Sequence, residues 1–239
     1  MLKKRDHLSY SAFKAFRNCE AAAAAGWKKD SKAFLEGKFF EAALTGKMGE
    51  FLSENGECLK RDGELRVEFV KAEAAANRLL EQKTIFDIIQ RCEKQKKVEG
   101  EIAGIPFVGY IDLYDPETGA CYDIKYVRSF EPIWNSKDRI RESWHKAYGY
   151  GLQAAIYDEL LGGGTRQHLI AATKETVPDI AFMCYTELAL QISMAEILRD
   201  APHYWAIAQG EKEPERCEQC EYCKLTRKLT LPQLIAGDE

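Results

Sequence analysis

The stretch GYIDLYDPETGACYDIKY, residues 109–126, reads as a β-hairpin, two short runs of alternating apolar side chains separated by the turn signal DPETG. Strands disfavour Asp and gain from burying apolar groups, so Asp112, Asp123 and Lys125 need another reason to stand there. A strand points residues i and i+2 to the same face, which sets Asp123 beside Lys125. The turn folds Asp112 back to lie opposite them. Two carboxylates converging at a strand end, with an ammonium beside them, form a hard oxygen site suited to Mg²⁺ or Mn²⁺ with positions left for water and phosphate oxygens. The lysine adds the positive charge that an attacking hydroxide or a developing phosphorane needs. An ion pair on an exposed hairpin would use the same residues and contribute little. Spacing alone leaves both readings open.

Working outward, KKVEGEI and IPFVGYIDLY form a second hairpin joined at Ala103-Gly104, and ACYDIKYVR is the third strand. A helix over 138–161 follows, then strands HLIAATK and DIAFMCYT, then a helix from Glu187 expected to break near Pro202. Upstream the period changes to that of helices. SAFKAFRNCEAAAAAGW, DSKAFLEGKFFEAALTGKMGEFLSE, residues 67–82 and TIFDIIQRC carry apolar residues at helical spacing, with Ser11, Asp30 and Thr84 as caps and the alanine run at 21–25 continuing the helix from Ser11. A strand, a long crossover helix and another strand imply a right-handed crossover. The expected fold is α/β, a mixed β-sheet flanked by helices, with a helical N-terminal part over 1–90, the sheet core with its crossover helix over 91–186, and a C-terminal helix and Cys-rich tail over 187–239, all in one domain.

Of the 239 residues, 46% are hydrophobic and 11% aromatic, enough for one sizeable core. No window approaches the eighteen uninterrupted apolar residues of a membrane span, and the basic start MLKKRDH is not followed by an apolar stretch. A soluble, cytoplasmic protein with no membrane partner is expected. Eight cysteines in such a chain point to metal ligation or plain burial rather than a disulfide framework. The net charge of −4 excludes a uniformly basic surface, so nucleic acid would have to be met by a local patch.

Asp112 followed by Asp123-Ile124-Lys125 resembles the PD-(D/E)xK nuclease signature, and the flanks extend the likeness. SYSAFKAFRNC at 9–19 resembles the opening segment of RecB-type nucleases, GLQAAIYDE at 151–159 their Q-x-x-x-Y helix, and EGKFFEAALTG at 36–46 their G-x-x-x-H motif, with Glu41 where histidine often stands. Glutamate ligates Mg²⁺ as well. The resemblance implies a restriction-endonuclease-like core, metal ligands Glu41, Asp112, Asp123 and the main-chain carbonyl of Ile124, a catalytic set of Asp112, Asp123 and Lys125, and DNA- or nucleophile-positioning roles for Gln153 and Tyr157. From its residues alone, the Gln153–Tyr157 stripe reads as a partly exposed helix face more often than as a site. Lys146 falls near this stripe, while His145 and Trp134 could contact DNA but read first as ordinary packing or surface residues.

RCEQCEYCKLTRK, at 216–228, places Cys217, Cys220 and Cys223 at C-x-x-C-x-x-C spacing, one ligand short of a closed site. Such a run supplies three thiolates to a [4Fe-4S] cluster in bacterial ferredoxins, and tetrahedral Cys₄ zinc sites also use C-x-x-C pairs. Any of the other cysteines satisfies the count, although Cys121 and Cys184 sit in apolar strand patterns that read as core, and Cys58 and Cys92 are expected to matter little. The family resemblance selects Cys19, because several RecB-type nucleases hold an iron-sulfur cluster with one cysteine after the first helix and three near the C-terminus. An iron-sulfur centre is the first expectation and zinc the alternative. Arg216, Lys224, Arg227 and Lys228, with the basic N-terminus, are candidates for phosphate contacts.

The compact length and the EGKFFEAALTG variant look most like phage and prophage RecE-type exonucleases, which resect duplex DNA ends, work with a single-strand annealing protein and form rings. The alternatives are a RecB-type or CRISPR-adaptation single-strand nuclease, and a non-catalytic DNA-binding scaffold built on a Cys₄ metal. No G-x-x-x-x-G-K-[ST] stretch is present, so the sequence carries no phosphate loop for ATP.

Overall fold

A computed structural model describes residues 4–27, 32–135 and 139–228. The chain runs α1 (Tyr10–Asn18), α2 (Glu20–Ala24), α3 (Lys32–Leu44), α4 (Met48–Glu54), α5 (Val67–Leu80), α6 (Lys83–Arg91), β1 (Glu93–Ile102), β2 (Ile105–Tyr114), β3 (Cys121–Val127), β4 (Ile133–Asn135), β5 (Ile140–Glu142), α7 (Trp144–Ala147), α8 (Tyr150–Leu160), β6 (Gln167–Thr173), β7 (Ile180–Cys184), α9 (Glu187–Ala208) and α10 (Glu221–Leu225). Five strands form one mixed sheet in the order β1-β2-β3-β6-β7, in which only β3 and β6 are parallel. That pair is joined through α8, as the crossover reading expected.

Helices cover both faces of the sheet. On one side α1, α8 and α9 bury Phe13, Phe16, Ile156, Ile197 and Ile207 with Val98, Phe107 and Ile111 from the sheet. On the other, α3, α5 and α6 bury Phe39, Phe40, Phe69, Leu79 and Ile88 with Leu113, Tyr122, Ile124 and Ile170. Each of these large side chains gains about 1.5–3 kcal/mol from leaving water, and together they fix the strand ends that carry the polar residues.

Several boundaries differ from the sequence reading. The first helix does not run through the alanines. Cys19 is extended (φ −166°, ψ 110°) and separates α1 from α2, which turns its thiol towards the tail. Ser9, not Ser11, caps α1, its hydroxyl accepting from the Ala12 N–H at 3.3 Å. Thr84 lies inside α6, whose cap is Gln82, and Asp30 lies outside the described residues. The stretch read as one helix over 138–161 contains the β4–β5 hairpin's second strand and two helices, because Gly149 adopts a left-handed conformation (φ 76°) that an α-helix excludes; Asp138 is outside the described residues. Conversely, α9 does not break at Pro202. Ile197, Ala201, Tyr204 and Ile207 are buried on both sides of the proline, and this packing offsets the one backbone bond it removes.

Candidate active site and cysteine centre

Strand β3 shows why the hairpin tolerates its charges. Tyr122 and Ile124 point into the α3/α5/α6 layer, so period two directs Asp123 and Lys125 to the opposite face, where the Lys125 ammonium lies 5.1 Å from the Tyr150 ring centroid on α8. The β2–β3 pairing ends at Leu113↔Tyr122. The next residue, Asp112, continues the contact with its side chain, Oδ2 accepting the Ile124 N–H at 2.8 Å. Lys125 Nζ stands 2.5 Å from Asp123 Oδ1, while Asp123 Oδ2 is buried without a hydrogen-bond partner. Burial, with the Asp112 carboxylate adding to it, pushes the Asp123 carboxyl up to about 7 against the pull of Lys125. For Lys125, burial works downward, but Asp123, Asp112 and Glu41 outweigh it and hold the ammonium charged.

Glu41 reaches this cluster from α3, paired with Lys38 at 2.9 Å. Between Glu41 and Asp112 stands Gln95, a residue the sequence reading passed over. Its amide donates to Glu41 Oε1 and to Asp112 Oδ1, the latter at 3.1 Å. Gln95 has φ 55°, and the β1–β2 register runs Lys94↔Leu113 and Lys96↔Ile111 while skipping Gln95 and Asp112. A non-glycine residue in that conformation inside a strand costs of order 1 kcal/mol or more. The only sequence signal was a polar residue among lysines in a strand, which also describes an ordinary solvent face.

Gln153 and Tyr157 are buried, not on an exposed helix face. Gln153 donates to the Tyr157 hydroxyl at 2.9 Å, and that hydroxyl donates to the Tyr110 carbonyl at 2.7 Å, two residues before Asp112. The Tyr157 ring lies directly on Gly109, where an added Cβ would stand 2.4 Å from a ring carbon. The pair therefore fixes β2 against α8. Lys146 is paired with Glu142 at 3.2 Å.

At the other end of α1, Cys19, Cys217, Cys220 and Cys223 bring their sulfurs within 4.8 Å of one another, the only such group of potential metal ligands among the described residues. Cys19 Sγ lies 3.6 Å and Cys217 Sγ 3.9 Å from Cys223 Sγ. The Cys220 N–H points at Cys217 Sγ and the Cys223 N–H at Cys220 Sγ. N–H donation from Gln219 and Cys220 lowers the Cys217 thiol to about 6, while, against the pull of the Cys223 N–H, desolvation and the neighbouring cysteines push the Cys220 thiol up. The tail is tied down further by Ala21 N–H to the Glu215 carbonyl (3.0 Å) and by the Glu215 N–H to the Glu20 carboxylate (2.8 Å). Two of the four basic tail residues serve this same fold: Arg216 and Arg227 both pair with Glu218, and Arg216 donates to the Cys223 carbonyl. Both guanidiniums thus share one carboxylate. Cys184 is exposed on β7, whereas Cys58, Cys92 and Cys121 are buried.

Comparison with known proteins agrees with the fold. The family described as a PDDEXK-like domain of unknown function (DUF3799) matches residues 9–226. A crystal structure from Eubacterium rectale, described as a "Putative exonuclease", superposes with a TM-score of 0.85 at 26% identity, over 96% of this chain and 91% of that one. The SSO0001 crystal structure aligns at 15% identity with a TM-score of 0.37, over 92% of this chain and 96% of that one. No curated protein matches the chain. No helix among the described residues is long and apolar enough to cross a membrane.

Proposed function

Because the chain belongs to the PDDEXK-like domain family DUF3799, we propose that it is a metal-dependent deoxyribonuclease that hydrolyses phosphodiester bonds from DNA ends. The observation that carries the reading is the buried, unpartnered Asp123 Oδ2 beside Asp112 and Lys125. An orphaned carboxylate oxygen among acids, with Gln95 bridging two of them, is what a hard divalent cation would satisfy. Glu41, Asp112, Asp123 and the Ile124 carbonyl would hold Mg²⁺ or Mn²⁺, which supplies Lewis-acid activation of water near neutral pH. Lys125 then faces the reacting phosphate and stabilises the charge that gathers there. Gln153 and Tyr157 keep β2, and with it Asp112, in register. The resemblance to RecE-type exonucleases supports action at duplex ends, beside an annealing partner and within a homo-oligomeric ring. Incubation with end-labelled linear and closed circular duplexes, in Mg²⁺, Mn²⁺ or EDTA, tests the proposal: loss of linear DNA alone, only with metal, is expected, and an inert protein under all three conditions rejects it.

For the cysteine centre, the sulfur separations favour the zinc alternative. A Zn–S bond of about 2.3 Å gives a tetrahedron with edges of about 3.8 Å, close to two of the separations, 3.6 and 3.9 Å, with all four sulfurs within 4.8 Å of one another. Thiolates bound each to a different iron of a cube stand farther apart than thiolates sharing one ion. Elemental analysis of protein purified without oxygen decides between them: one zinc per chain is expected, and a brown protein with about four irons restores the cluster.

A further inference from the structure

A groove of about 780 Å³ opens between α1, the β4–β5 hairpin, α7 and α9. Its walls are aromatic: Tyr10, Trp134, His145, Tyr148 and Tyr185 all line it. Trp134 is 58% exposed although it is the largest side-chain type, and the Tyr185 hydroxyl is buried without a partner. The acids on the walls are already neutralised, Glu196 by Arg17 at 2.7 Å and Glu142 by Lys146 at 3.2 Å. Lys14 is different. Among the described residues it has no carboxylate partner, donating instead to the Tyr148 carbonyl at 2.8 Å. Its ammonium lies 5.8 Å from the centroid of the Tyr150 ring, the same ring that Lys125 approaches to 5.1 Å. Tyr150 thus stands between Lys14 on the groove wall and the Lys125 ammonium of the acidic centre.

We propose that this groove holds single-stranded DNA, its unpaired bases stacking on Trp134, Tyr148 and His145 and a backbone phosphate reaching Lys14 next to the scissile position. The proposal rests on the nuclease reading above and narrows its substrate. A duplex keeps its base faces stacked inside and presents only edges and phosphates, so it has no use for exposed aromatic faces. Unpaired bases offer a π-face at every step, and each stack is worth about 1–3 kcal/mol. At a duplex end, the strand to be cut would enter this groove only after leaving its complement.

The test is anisotropy of a fluorescent oligo(dT) of about 15 nucleotides and of a blunt hairpin duplex of matched length, in EDTA so that nothing is cut. Oligo(dT) is expected to bind at least about tenfold more tightly, and Trp134→Ala to weaken it between about fivefold and a hundredfold, the range for one lost stack, with melting unchanged because Trp134 is exposed. Lys14→Gln, a second variant, should flatten the salt dependence of oligo(dT) binding by about one counterion. Equal or tighter binding of the duplex, or wild-type oligo(dT) binding in both variants, overturns the groove assignment. Cleavage with Mg²⁺ is scored separately. A protein that cuts DNA yet shows no preference for oligo(dT) loses only the groove, and one that binds oligo(dT) through Trp134 but cuts nothing loses the nuclease reading beneath it.

Discussion

Asp123 concentrates the chemistry of the site in one carboxyl group. Its folded pKa of about 7 lies above that of a free aspartate, 3.8, so the folded state prefers the protonated form. The sign follows: between pH 4 and 7 the unfolded chain has lost this proton while the folded chain retains it, and without metal the fold loses stability as pH rises across that window. Asp123→Asn should remove this decline from a series of melting curves in EDTA, while abolishing cleavage and leaving the fold intact. A variant that keeps full activity with Mg²⁺ would refute the site. Gln95 makes a second case. Truncation to Ala takes the donor away from Glu41 and Asp112, and losing hydrogen bonds to charged groups should cost about 1–3 kcal/mol in EDTA. Saturating Mn²⁺ should close most of that gap, because the cation neutralises the same two carboxylates. A melting temperature unchanged in EDTA would mean that the amide contributes nothing there.

At the level of elements, the contact between β2 and α8 sets the position of Asp112. Gly109 has no room for a methyl group under the Tyr157 ring, and Tyr157 is held by Gln153 and the Tyr110 carbonyl. Gly109→Ala must push the ring or the strand aside, an overpacking cost of about 1–3 kcal/mol, and should slow cleavage by moving Asp112 three residues away. Denaturant melts and single-turnover rates measured together would show this, and a variant normal in both would separate the strand from the site. Q-x-x-x-Y spacing put both side chains on one helix stripe, but the sequence could not say whether that stripe faces water or a strand. Burial against Gly109 decided it, and no helical period carries that information. Cys19 is a similar case. An alanine-rich run reads as continuous helix, and only the docking of the tail rewards an extended residue there.

Across the whole molecule, Cys19 and the 217–223 run tie the start of the chain to its end. A metal bound at a site absent from the unfolded chain adds its binding free energy to folding, so Cys19→Ala should lose the metal and lower the melting temperature about as far as Cys220→Ala does. Cys184→Ala should change neither, since that side chain is exposed. Cys58 and Cys92 are poorer controls than their sequence context suggested, because both are buried in the core between the sheet and α3, α5 and α6, where truncation leaves a small cavity. Equal melting of the wild type and Cys19→Ala, with metal content unchanged, would show that the tail is held by its hydrogen bonds alone.

The hairpin, its three charged residues, the parallel crossover and the three-cysteine run of the tail are legible in the residues alone, because each is written in a short period or spacing: two for strands, near four for helices, three between thiols; the fourth thiol, Cys19, is not. Tertiary structure alone decided which elements end where packing or a left-handed residue demands it, at Cys19 and Gly149, and which continue through an unfavourable residue, at Pro202. It also decided the partners of the charges. Gln95 enters the acidic cluster, and Lys14 meets Lys125 across Tyr150, only because residues far apart in the chain are brought together when both faces of one sheet are buried. Charge and polarity are local properties of a sequence, whereas what they pair with is a property of the packed fold.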